Sequence, residues 1–189
     1  MSKWQMRYFR PAKTRSLVSN AAKSLAQTLV IWAVFLFLIP WGVVVLQLSL
    51  GIALWEPGVW KIVAVVVFWI AACSGFHCGW MFVRYGGGTP LPLDQTTRLT
   101  VLGLYRFIRN PMAVLGILQG VMVGLYLGSW PVMLYSLFGT VAWEFLARPY
   151  EDADLLRRFG GEFEEYRSAV RCWLPTMKPY RRVVSEEQQ

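Results

Sequence analysis

One histidine and three cysteines in 189 residues leave little from which to build a metal centre. Cys73 and Cys78 fall in an apolar stretch and Cys172 lies far from both. None has the spacing of a zinc site, so no metal ligand set is expected. The pattern is equally unlike the disulfide framework of a small secreted protein. Charge is scarce as well: 16% of the residues carry it, against about a quarter in an average soluble domain. Acids are the rarer sign, 11 against 19 Lys and Arg, which leaves a formal net charge of +8. Such a balance admits nucleic acid as a partner. The basic residues cluster beside apolar segments, however, so anionic membrane lipids are the expected partner and nucleic acid is not.

What the chain has in abundance is apolar surface, 56% hydrophobic residues with 10 Trp, in a length that suits one unit. Residues 1–24 carry Lys3, Arg7, Arg10, Lys13, Arg15 and Lys23 with no acid, and Trp4, Tyr8 and Phe9 are interleaved. Residues 1–27 therefore read either as a basic interfacial segment on an anionic leaflet or as a basic tail without structure. They do not read as a signal peptide, because the basic part is long and no small-residue cleavage site follows. Leu25 to Trp55 holds no charge. Its centre, Leu29 to Leu50, is long enough to span a bilayer, with a kink expected at Pro40. A second span is expected from about Val59 to Tyr85, with Lys61 and Arg84 able to reach the two interfaces. His77 within it is a candidate functional residue, though a neutral histidine bonded to a neighbouring helix is the favoured reading.

Gly86 to Thr100 is expected to be a loop, punctuated by Gly and Pro. Asn110 to Trp143 is an uncharged run of 34 residues. It predicts two short apolar helices, Met112 to Leu127 and Trp130 to Ala147, turning at Gly128-Ser129-Trp130-Pro131 and slightly short for full spans. Leu155, Phe159, Phe163, Tyr166 and Val170 recur at helical steps with charges between them. That predicts an amphipathic helix on the cytoplasmic face, breakable at Gly160-Gly161 and ended by Trp173-Leu174-Pro175. The fold class is thus all-α: a membrane helical bundle of about four transmembrane helices including a C-terminal hairpin. Lys and Arg place both termini and the 84–109 segment in the cytoplasm.

Folding the hairpin back brings two polar clusters to one membrane face. The first is Gly103-Leu-Tyr-Arg-Phe-Ile-Arg-Asn-Pro-Met112, with Gly88-Thr-Pro-Leu-Pro-Leu-Asp94 upstream. The second begins at Arg148-Pro-Tyr-Glu-Asp152. Arg106, Arg109 and the exposed N–H groups at a helix start suit an anion. Glu151 and Asp152 offer acceptors to an ammonium group or to ribose hydroxyls. A ligand with an anionic and a cationic end fits such a pair of clusters.

From about Gly86 to Pro175 the sequence resembles the isoprenylcysteine carboxyl methyltransferase and phospholipid methyltransferase family of integral membrane enzymes. The resemblance rests on Gly103 to Arg106, Arg109 to Pro111, the hydrophobic hairpin, Glu151-Asp152, Phe159-Gly160, Tyr166 and Pro175, in that order. The bacterial branch with Arg-Asn-Pro and an upstream Gly-Thr-Pro-Leu-Pro is the one it looks most like, which implies a bacterial cytoplasmic (inner) membrane. The resemblance further implies S-adenosylmethionine as cofactor and a lipid-like or amphiphilic acceptor, a carboxylate among the candidates. It assigns cofactor binding to Leu99, Thr100, Tyr105, Asn110, Pro111, Met112 and Glu151 within residues 86–175, and substrate contact to Arg148. The sequence departs from the family pattern in Asn110 for His, Asp152 for Glu, and Ala113 for Tyr. Two other readings fit the same residues: a membrane reductase with a nicotinamide cofactor, and an inactive homologue that binds lipid or a partner protein.

Overall fold

The computed structural model describes residues 17–86 and 98–181, and every regular element among them is helical. Five helical rods follow one another: α1 Leu17–Ser49, α2 Trp60–Gly86, α3 Pro111–Leu127, α4 over residues 130–159, and α5 Gly161–Ala169. A 3-10 turn, Gly103–Arg106, precedes α3. The expected all-α class is therefore observed. α1 and α2, at 33 and 27 residues, are long and apolar enough to cross a membrane. Residues 1–16 of the basic N-terminal segment and the Gly88–Asp94 motif lie outside the described residues.

α1 begins at Leu17, well before the expected span from Leu29, because Ala21, Ala22 and Lys23 continue a good helix-forming run. The kink expected at Pro40 takes the form of a π turn over Ala33–Leu38. There the Ile39 N–H reaches back to the Val34 carbonyl, five residues earlier. This local widening makes room for a residue that lacks its own N–H. α4 does not stop at Ala147 but runs through a second π turn, Trp143–Ala147, into Arg148–Phe159. The predicted amphipathic helix is cut in two at Gly160, which sits at φ 51°. α5 ends at Ala169, with Val170 already extended, three residues before Trp173.

α3 packs between α2 and α4. Its contact with α4 is a close backbone approach: a Cβ on Gly124 would lie 2.7 Å from the Met133 backbone nitrogen. Absent side chains let two apolar helices touch along their backbones, where dispersion and weak polar contacts hold them. The α3–α4 turn is equally specified. Gly128 caps α3 at φ 66°, and a Cβ there would come within 1.8 Å of the Trp55 carbonyl oxygen. The Trp55 N–H donates to the Gly128 carbonyl at 3.0 Å. Ser129 caps α4, accepting from the Val132 N–H, and donates its own hydroxyl to Gln47 Oε1 of α1 at 2.5 Å. Both Gln47 and Ser129 are buried, so this bond ties α1 to the hairpin turn inside an apolar surround.

The outer faces of the long rods stay apolar and uncovered, among them Phe37, Trp41, Trp69, Ile70 and Phe138. At the opposite end from Ser129 lies a small separate core of Phe163, Tyr166 and Val170. Leu99, Val101, Leu155, Phe159 and Tyr180 pack around it.

Candidate functional site

The segment entering α3 is held by the chain that leaves α5. The Arg109 and Asn110 N–H groups donate to the Arg171 and Cys172 carbonyls at 2.9 and 3.3 Å. The Thr176 N–H donates to the Phe107 carbonyl at 2.8 Å, and the Tyr180 N–H to the Arg106 carbonyl at 2.9 Å. Arg106 answers by donating Nε to the Tyr180 carbonyl at 3.0 Å. Within the core the Tyr166 hydroxyl donates to the Tyr105 carbonyl at 2.6 Å. A loop without regular hydrogen bonds of its own has them supplied from some seventy residues away.

This changes the role expected for the motif's donors. The two N–H groups before Pro111 already hold the returning chain, and Arg106 holds Tyr180, so these are not free for an anion. Asn110 precedes α3 with φ −124° and ψ 61° and makes no side-chain cap bond. Its half-buried amide is left for another partner. Pro111 is buried at the first turn of α3, and Met112 is half-buried beside it.

Arginines and acids form one network across the start of Arg148–Phe159. Arg109, its side chain 7% exposed, contacts Asp152 at 3.3 Å. Arg148 pairs with Glu144 one turn before it and lies 3.6 Å from Asp152 one turn after it. The Trp173 indole donates to the second oxygen of Glu144 at 2.7 Å. Beside this network opens a cleft of about 490 Å³ lined by Arg109, Arg148, Asp152, Arg171, Cys172 and Trp173 among others. Burial pushes the Cys172 thiol up, opposed by the arginines beside it.

Glu151 stands outside the network. Among the described residues no hydrogen bond or ion pair reaches its half-buried carboxyl. Burial, with the neighbouring Asp152 charge, pushes it up to about 7. Its charge bears on Tyr105, whose ring is buried edge-on against Phe82 at 4.9 Å. Burial pushes the Tyr105 phenol well up, and Cys78, Tyr166 and Glu151 act in the same direction.

The expected site residues therefore separate. Tyr105, Asn110, Pro111, Met112 and Glu151 belong to one end of the bundle, brought there by the hairpin. Arg148 faces the cleft with Asp152 on its own side of α4. Thr100 is buried and donates to the Arg98 carbonyl at 3.3 Å, while Leu99 packs on the α5 core. His77, exposed on α2, has Nε2 3.5 Å from where a Gly103 Cβ would stand, so it lies against the turn that carries Tyr105. No cluster of His, Cys, Asp or Glu able to hold a metal occurs among the described residues.

Glu144 and Trp173 are the members of this site that sequence reasoning missed. The signal for Glu144 was present: an acid inside the apolar run from Trp130 to Ala147, four residues before an arginine. Nothing local marks Trp173, whose partner lies 29 residues away. Compared with known proteins, the chain matches no family model and no curated protein.

Proposed function

We propose that this chain is an S-adenosylmethionine-dependent membrane methyltransferase acting on an amphiphilic acceptor with an anionic end. The observation that carries the reading is Glu151. It is a half-buried carboxyl without a counter-ion among the described residues, next in sequence to Asp152, which pairs with Arg109 of the segment entering α3. An uncompensated carboxyl in such a place favours a cation. The amide of Asn110, next in sequence to Arg109, caps nothing and is free to bond a ribose hydroxyl or a carboxylate. The first-turn N–H groups of α3 lie at the positive end of its dipole.

When bound, S-adenosylmethionine supplies an electrophilic methyl on a sulfonium. The chain's own contribution is to bind, orient and exclude water. Arg148, beside the cleft, suits the carboxylate or phosphate of the acceptor, which exchanges places with Glu144 as its partner. A carboxylate acceptor needs no base, and no group in the network is placed as one. The apolar outer faces, with Lys and Arg at the two cytoplasmic segments, support four crossings of a bacterial inner membrane with both termini inside. Ala113, half-buried on the first turn of α3, favours a second reading, a homologue that binds the cofactor or a lipid without turnover. A nicotinamide-dependent reductase remains the alternative enzyme class.

Calorimetry on detergent-purified protein tests the main reading. S-adenosylmethionine is expected to bind, and Glu151→Ala to weaken binding by about 1.5–3 kcal/mol through loss of a charge-assisted contact. Equal affinity in the two proteins removes Glu151 from the site. Binding of a nicotinamide cofactor in place of S-adenosylmethionine supports the reductase.

A further inference from the structure

The cleft beside the arginine network carries more positive charge than its acids balance. Arg109, Arg148, Arg167 and Arg171 line it, and Asp152 is the one acid among its lining residues. Asp152 is shared, with Arg109 at 3.3 Å and Arg148 at 3.6 Å. From outside the lining, Glu144 pairs with Arg148 and Glu164 takes Arg167 at 2.6 Å. Four arginines thus meet three acids. Arg171 is the one left over: it is exposed, and no acid pairs with it among the described residues. Its carbonyl accepts from the Arg109 N–H at 2.9 Å, which holds this residue against the segment entering α3. The cleft opens where α4 passes from uncovered apolar side chains, Phe145 and Leu146, to the charges that begin at Arg148. Trp173 and the exposed Leu174 also line it. An apolar rod that ends in charges marks the depth of lipid head groups. An anion that carries a hydrocarbon tail meets cations and apolar side chains together there.

We propose that this cleft binds the phosphate of an anionic membrane lipid, with Arg148 and Arg171 as the arginines that hold it. A lipid phosphodiester brings one negative charge, which is the charge the cleft lacks. Its non-bridging oxygens point in different directions, so guanidinium groups from two elements can each meet one. A planar carboxylate is already matched by a single guanidinium fork. The volume of about 490 Å³ falls within the range of small-molecule sites, about 300–1,000 Å³. Free inorganic phosphate shares this chemistry but brings no tail to the apolar side chains at the rim. The inference concerns binding alone and holds whether or not the lipid is the methyl acceptor.

Native mass spectrometry of the full-length protein in detergent, titrated with dioleoyl phosphatidylglycerol, tests it. The wild type is expected to hold this lipid more tightly than dioleoyl phosphatidylcholine, whose head group adds a cation. Arg171→Gln should weaken phosphatidylglycerol binding by about tenfold or more, through loss of a charge-assisted contact. The bond from the Arg109 N–H is to the backbone and survives the substitution. Arg171→Lys keeps the charge without the fork and should show a smaller loss; it carries the test should Arg171→Gln fail to fold. Lys61→Gln removes the same charge at the far end of α2 and should leave affinity unchanged. Unchanged affinity in both Arg171 variants overturns the inference, and so does an equal loss in Lys61→Gln, which marks a general effect of charge. Oleate bound as tightly as phosphatidylglycerol, and lost equally in Arg171→Gln, overturns the phosphate in favour of a carboxylate. Inorganic phosphate that displaces the lipid at equal concentration overturns the lipid as the source of the anion. Lipid binding in a protein that fails to bind S-adenosylmethionine leaves this inference standing and overturns only the methyltransferase reading.

Discussion

Replacing Glu151 by Gln should stabilise the ligand-free protein at alkaline pH and leave it nearly unchanged at acid pH. In the folded chain the carboxyl is pushed up to about 7 from an ordinary 4.5. A raised acid means that the folded state holds the proton more tightly than the unfolded state. The favourable contribution is present below about 4.5 and is lost as pH rises through 7. Each unit is worth about 1.4 kcal/mol, so taking the medium from pH 4.5 to 8 costs the wild type about 3 kcal/mol at this residue. Gln keeps the shape and the hydrogen-bonding ends but cannot ionise. Thermal unfolding in detergent at the two pH values reads the difference. At about 2–4 °C per kcal/mol for a chain of this size, Glu151→Gln should gain on wild type by about 6–12 °C between pH 4.5 and 8. A gap in melting temperature that stays constant across the range refutes the reasoning. It would mean that Glu151 is ionised, or solvated, in the folded state.

Three further outcomes are expected. Gly128→Ala should destabilise the bundle by about 2–4 kcal/mol, since it adds left-handed backbone strain and puts the bond from Trp55 under steric pressure; an unchanged unfolding temperature contradicts the described turn. Ala113→Tyr should change cofactor affinity or turnover, and an aromatic face toward a cation is worth about 0.5–2 kcal/mol; unchanged affinity and turnover together place residue 113 away from the ligand. Reporter fusions at Glu56 and Ser129 should signal the outside and one near Gly87 the inside; a cytoplasmic signal at Glu56 reverses the orientation.

The rods were legible in the sequence because their cause is local. Uncharged stretches, Pro111 at a first turn, and Gly128-Ser129 between two apolar runs each dictate helix, start or stop within a few residues. Boundaries failed where a helix could absorb an irregularity. The π turns at Ala33–Leu38 and Trp143–Ala147 let α1 and α4 continue past places that read as kink or end. For the candidate site, the return of the Glu151-Asp152 pair to the end that holds the Arg109 segment followed from the hairpin. The division of labour between Glu151 and Asp152 did not. Two adjacent acids are equivalent in a sequence, and only the placement of Arg109 and Arg148 makes one an ion-pair partner and leaves the other without a cation. The donors of the Arg-Asn-Pro motif were misjudged for the same reason, since their partners at Arg171 and Cys172 are distant in the chain.

Those distant partners also set an order of events during synthesis. The backbone of residues 106–110 is completed by carbonyls and amides of residues 171–180, the last of which leave the ribosome long after α3 and α4 have been made. A chain halted after α4 has its apolar bundle but no scaffold for the segment that enters α3. The order of residues 106–110 therefore arrives only at the end of translation.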